Sequence, residues 1–291
     1  MSLELFRTKY RITALRASNT GIPFLQHRNW LRGLPSWCPD FAGPRDYVRD
    51  LLHANQRLKA SRGRPARFTI LTRQCVAAVG VYIGSVKKCS AQWRGPNPDE
   101  DFHTHWENVY GSFQRCTSSI STTSPGCSLW KLYLDVFSAG AEFRQCSAWS
   151  YVWGFLPART RDRMVKSTIG AAWIMRYMPT LAPNGGLTLN RRLDADSWNH
   201  VAYVVNDWLH DRSRGTRLFT TDNPAAVLGT GLDGTRVGDI VCVLFGSDVP
   251  FILRQVGDQG NYKLIGECYV AGIMRGEALD MGLEEREFRL I

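Results

Sequence analysis

Four groups of residues have types and spacing that could do chemistry. His103, Thr104 and His105, with Cys116 downstream, offer two imidazoles and a thiolate. A structural zinc takes four ligands, commonly in close pairs, and only one pair is present, in an Asp-rich loop. The plainer reading is a solvated loop. Asp207, His210 and Asp211 lie where a helix is expected, and the first two share a face at i, i+3. A carboxylate so placed can orient an imidazole for base work. A polar helix end, where His also complements the C-terminal dipole, is the preferred reading, since no nucleophile in a recognisable elbow accompanies them. Asp239, Arg254, Glu267 and Glu277 punctuate an otherwise apolar stretch. They read either as a ligand or partner site at the rim of a sheet or as charge pairing and strand capping. The second is preferred, because no nucleophile or metal pair accompanies them. Arg62, Gly63, Arg64 and Pro65, flanked by Lys59 and Arg67, resemble an AT-hook, whose extended Arg-Gly-Arg core lies in a narrow minor groove. As a structural feature they are a basic turn.

Other chemistry is missing from the pattern. There is no GxxxxGK[ST] loop and no GxGxxG between a strand and a helix, so no nucleotide cofactor is expected. No Ser or Cys sits in a nucleophile elbow. An enzyme would need a nucleophile, a base and an orienting group in one pocket, and the sequence names none. A non-enzymatic protein without cofactor or metal is therefore expected.

The elements that must position these residues follow from periodicity. LPSWCPDF, 34–41, has two Pro and a central Trp and suits an extended segment laid on a core. Tyr47, Val48, Leu51, Leu52 and Leu58 have helical spacing, with Pro44 near the start. Residues 67–90 are rich in β-branched residues and read as two strands or one bent strand, with Gly80 and Gly84 at the bend. Residues 94–128 are polar, with one short helix expected at 105–116. Residues 129–178 read as mostly helical, broken by Pro157 and ended by Pro179. The clearest helix is DADSWNHVAYVVNDWLHDR, capped by Asp196 or Ser197, with Trp198, Val201, Val205 and Trp208 on one stripe. From residue 215 the period becomes two. Strands are expected at 217–221, 239–245, 249–254 and 262–270, with a short turn or helix at GEALDMG.

The register of GDIVCVLFGSDVPFILR, 238–254, follows from its turn. A two-residue Gly246-Ser247 loop of type II′ sets Phe245 opposite Asp248, Val241 opposite Ile252 and Asp239 opposite Arg254. Glu267 on the next strand is a competitor for the same guanidinium. A second hairpin closes through VGDQGN, 256–261. The strands are apolar on both faces, so both must be covered.

Bulk properties set the class. A chain of 291 residues with ten Trp and thirteen Phe can bury a core without a disulfide or metal staple. Its eight Cys form no CxxC pair and read as buried small hydrophobes. No apolar run reaches eighteen residues and the N-terminus has no signal-peptide core, so the cytosol or nucleus is expected and no membrane contact. The net charge of +10 divides as +11 over residues 1–100, +3 over 101–200 and −4 over 201–291. Any acidic partner would meet the N-terminal third.

GTRLFTTDN, GTRVGDIVCVLFGSDVPFILR and YKLIGECYVAGIMRGEALD together resemble the C-terminal region of fungal heterokaryon-incompatibility (HET-domain) proteins. LPSWCPDF resembles the segment that joins the HET domain of such proteins to this region. The close match covers about 34–41 and 214–281, with a looser one at 67–90. Ala226-Val227-Leu228-Gly229-Thr230-Gly231 departs from the family's aromatic-Gly-x-Gly-Pro turn. The family's TIR-like HET domain drives a cell-death response. Residues 1–33 are too few to hold it and read as a basic remnant or linker. The resemblance implies a single α+β domain over 34–291, with central helices packed on an antiparallel sheet, a meander or partly closed barrel, and a β module at 214–281. It implies a regulatory or scaffold role in self/non-self, immune-like signalling through protein partners, among them full-length relatives. A DNA-associated protein and an enzyme with an unrecognised site are the alternatives.

Overall fold

The computed structural model describes residues 35–37, 58–90, 194–213, 215–225 and 228–291, with short stretches between 132 and 173. The helices expected at 44–60 and 105–116, apart from Leu58 to Ala60, lie outside the described residues, as do His103, His105 and Cys116. The chain divides into two compact units, Met1–Trp93 with Gly215–Ile291, and Arg94–Arg214.

The first unit is a sheet of eight strands, almost all antiparallel. They are β1 (Phe68–Ile70), β2 (Val76–Cys89), β3 (Thr216–Thr221), β4 (Leu228–Leu232), β5 (Ile240–Leu244), β6 (Phe251–Val256), β7 (Asn261–Val270) and β8 (Glu285–Leu290). Neighbours run β2–β3–β4–β7–β6–β5, and β5 pairs again with β2. The sheet is thus ring-like but not a barrel. One long strand serves both ends of the ring at different heights: residues 80–85 of β2 pair with β5, and residues 86–89 with β3. Residues 76–78 carry β1 on the β5 side and β8 on the other. Nor is it a simple meander. β5, β6 and β7 follow in order, but β7 then pairs with β4.

β2 holds this position because VAAVGVYIGSVKKC is β-branched and apolar on both faces, and its register shifts between Tyr82 and Gly84 and again between Val86 and Lys88. Gly80 permits close approach rather than a bend. A Cβ there would lie 2.3 Å from the Val243 carbonyl oxygen. The core joins Val81, Ile83, Phe219, Val243, Phe245 and Ile252, all at most 2% exposed. β4 and β5 are buried almost throughout, as two-sided apolar strands must be.

β4 occupies the stretch that reads in the sequence as an altered turn. LGTGL is a buried strand, and its glycines leave room for neighbours: a Cβ at Gly229 would sit 2.5 Å from Cζ of Phe219, and one at Gly231 2.4 Å from Cδ1 of Ile252. β8, EREFRL, carries no expectation from the sequence. Only Phe288 and Leu290 of it are buried. A 3-10 turn at Glu277–Asp280 fills the expected GEALDMG turn.

In the second unit, α1 (Ser147–Trp153) and α2 (Ala195–Ser213) are the helices with described bounds. α2 buries Trp198, Val201, Ala202, Val205, Asn206 and Leu209, with Trp208 partly exposed. Its cap is Asp194 rather than Asp196 or Ser197. The Asp194 carboxylate accepts the Ser197 N–H at 2.7 Å, and this bond holds the carboxyl below its ordinary pKa. The Trp173 indole N–H donates to Asn206 Oδ1 at 3.4 Å, with both groups buried. Among the described residues no helix is long and apolar enough to cross a membrane.

Candidate functional site

The hairpin of β5 and β6 has the expected register, with Ile240 opposite Leu253 and Val241 opposite Ile252. Its loop differs. The strands stop at Leu244 and resume at Phe251. The Ser247 N–H donates to the Leu244 carbonyl at 3.1 Å, with Gly246 at φ +86°. Phe245 therefore does not face Asp248 in a two-residue turn. The Ser247 hydroxyl takes over, donating to the Val249 carbonyl at 2.8 Å and accepting the Val249 N–H at 3.2 Å. The second hairpin closes as expected, with Val256 opposite Asn261.

The register brings Asp239 and Arg254 together. Arg254 donates from Nε to Asp239 Oδ1 at 2.7 Å and from Nη2 to Oδ2 at 2.9 Å. The same Nη2 donates to the Gly234 carbonyl at 2.6 Å. Asp239 Oδ2 also accepts the Arg236 N–H at 2.8 Å. The carboxylate is 2% exposed and the guanidinium 25%. This two-point pair ties the turn before β5 to β6.

Glu267 and Glu277 are placed elsewhere. Glu267 is 4% exposed and opposite Phe251, while Arg254 faces Lys263. It lies beside two buried thiols. Burial pushes Cys242 and Cys268 well up from the ordinary thiol value, and for Cys268 the charges at Cys242 and Glu267 add to this. Such thiols are poor nucleophiles. Cys75, Cys242 and Cys268 carry free thiols, and Cys146, Cys242 and Cys268 are buried. Glu277 accepts the Arg275 N–H at 2.7 Å. The four residues are thus one ion pair and two separate carboxylates, not one cluster. No group of three potential metal ligands occurs among the described residues. Asp207 is exposed on α2, and the His210 side chain lies outside the description.

Arg62, Gly63, Arg64 and Pro65 form a turn, with Arg62 at φ +49° and Gly63 at φ +72°. Arg62 donates to both carboxylate oxygens of Asp280, and its Nη2 also reaches the Gly276 carbonyl at 3.0 Å. Arg64 and Arg67 bond the two oxygens of Glu285 at 2.5 and 2.9 Å, and their guanidiniums lie 4.9 and 5.9 Å from the Phe245 ring centre. An extended hook in a minor groove would have to leave Asp280 and Glu285 and unbend this turn. The acidic partners were invisible in the sequence, since they lie 218 and 221 positions away. A basic run near the start and an acidic excess near the end were the only available signal.

These carboxylates make a pH prediction. The bonds from Arg62 hold Asp280 below its ordinary value of 3.8, and those from Arg64 and Arg67 hold Glu285 below 4.5. Their contribution is complete above those values and is lost as the pH falls through the lower folded ones. Glu285→Gln should lower the urea midpoint at pH 7, and the difference from the parent should shrink as the pH falls below 4.5. The groups are exposed, so the effect at pH 7 is small.

Residues 192–291 match the family model described as the Het-6 beta-barrel domain. Over 79 residues, 26% of this chain, the sequence is 39% identical to the Heterokaryon incompatibility protein 6, OR allele, of Neurospora crassa. The aligned stretch spans 11% of that protein. No solved structure matches the chain. The matched region contains the whole course of β3 to β8, including the Asp239–Arg254 pair and the hairpins that set it. Residues 192–291 are accordingly similar to the Het-6-type C-terminal region of heterokaryon-incompatibility proteins.

Proposed function

We propose that the chain is a non-enzymatic regulatory or scaffold module that acts by contact with protein partners, full-length heterokaryon-incompatibility relatives among them, in self/non-self and cell-death signalling. The observation that carries this reading is the internal use of the polar groups in the family-like block. Asp239 and Arg254 bond each other and the neighbouring backbone. The cation cluster at 62–67 is likewise engaged with Asp280 and Glu285. The interior supports packing, and recognition falls to the outer surface. A β unit without its own effector chemistry would influence signalling by occupying or positioning a relative.

The test mixes the purified chain with the purified Neurospora relative in analytical ultracentrifugation. A defined complex, insensitive to added duplex DNA, is expected. No complex with that protein, together with binding to AT-rich duplex that Arg62→Ala and Arg64→Ala abolish, would replace this reading with the DNA-associated one.

A further inference from the structure

We propose that Arg236 and Val237, at the tip of the loop between β4 and β5, form a preset contact for a protein partner whose surface offers an apolar recess edged by a carboxylate. This names the contact for the function proposed above and rests on that reading. Arg236, Val237 and Gly238 are exposed, and Val237, at 64%, is the most exposed of the large apolar side chains among the described residues. The loop beneath the tip is fixed from several directions. Arg217 Nε donates to Asp233 Oδ1 at 3.0 Å, and the Asp233 N–H to the Gly215 carbonyl at 3.1 Å. Arg254 Nη2 holds the Gly234 carbonyl, and the buried Thr235 hydroxyl donates to the Leu232 carbonyl at 2.6 Å. After the tip, the Gly238 N–H donates to the Val86 carbonyl at 2.9 Å, and the Asp239 carbonyl accepts the Val86 N–H at 2.8 Å. The tip closes on itself: the Arg236 N–H donates to Asp239 Oδ2, and the Asp239 N–H to the Arg236 carbonyl at 3.2 Å.

A single exposed valine needs no explanation by itself. Here it stands beside an uncompensated cation on a loop that is already ordered. The two carboxylates of the loop are engaged within the unit, Asp233 by Arg217 and Asp239 by Arg254. Among the described residues, none pairs with the Arg236 guanidinium. The tip thus presents one positive charge and one branched apolar side chain, and their complement is a carboxylate beside an apolar recess. A phosphate backbone would take the arginine and leave the valine in water, so a protein surface is the better fit. Because the loop is fixed before binding, association does not bear the cost of ordering it.

Analytical ultracentrifugation of the full chain with the purified Neurospora relative tests the tip. The double variant Arg236→Ala with Val237→Ser should bind at least about tenfold more weakly than the parent. Both side chains are exposed, so its urea midpoint should stay close to the parent's. Arg236→Glu should weaken the complex more than Arg236→Ala, since it sets like charges together. Equal binding by parent and double variant would overturn the tip as the contact and leave the wider reading standing. No complex from either chain would overturn both. Binding that falls only in step with a lower urea midpoint would assign the two residues to folding and overturn the proposal. So would Arg236→Glu binding as well as Arg236→Ala.

Discussion

Replacing Arg254 with alanine is expected to destabilise the β unit by about 3–5 kcal/mol, the range for breaking a buried ion pair from one side. The reason is asymmetric burial. Asp239 is 2% exposed and Arg254 25%. Without Arg254 the carboxylate keeps the Arg236 N–H but stays inside with no cation. The reverse change, Asp239→Ala, strands the more hydrated partner, which retains the Gly234 carbonyl and can turn toward water. Its cost should fall at or below the low end, about 3 kcal/mol. Urea unfolding followed by far-UV circular dichroism distinguishes them: the Arg254 variant should have the lower midpoint with an unchanged slope. The opposite order would mean that the pair is held mainly by the guanidinium's other contacts.

The second large effect belongs to a residue without a side chain. A Cβ at Gly80 would meet the Val243 carbonyl oxygen at 2.3 Å and the Leu244 Cα at 2.9 Å. Both are backbone atoms of a paired strand, so no rotamer change relieves the contact. The Gly80–Leu244 pairing lies where β2 closes the ring against β5. Gly80→Ala should therefore cost at least about 3 kcal/mol, the upper end for overpacking a well-filled core. Gly80→Val should prevent folding of the β unit, seen as loss of the far-UV strand signal. An alanine variant as stable as the parent would mean that β2 and β5 separate at this point.

The sequence made the hairpin register readable because two apolar runs flank a short Gly-containing loop, so aligning Val241 with Ile252 also aligns Asp239 with Arg254. It misjudged the loop, since the bonds of the Ser247 hydroxyl to Val249 act only after the chain has turned. β4 was hidden by its own composition. Two glycines in five residues look like a turn, and only the Phe219 ring and Ile252 side chain explain why they line a buried strand. β8 was hidden by charge, with four charged residues and two buried apolar ones. The partners of Arg62 and Arg64 required the whole fold, because no local rule links a turn at residue 62 with carboxylates at 280 and 285. Ser36, whose hydroxyl accepts the Leu264 N–H, likewise gained meaning only when β7 and β8 were seen to pair beside it.

The direct test of whether the family-like block is architecture is a double-mutant cycle on Asp239 and Arg254, using Asp239→Asn, Arg254→Met and both together. A favourable coupling of roughly 1–3 kcal/mol in unfolding free energy is expected, as for contacting residues in one buried pair. Single variants as stable as the parent, with coupling under about 0.5 kcal/mol, would contradict a structural role for the pair.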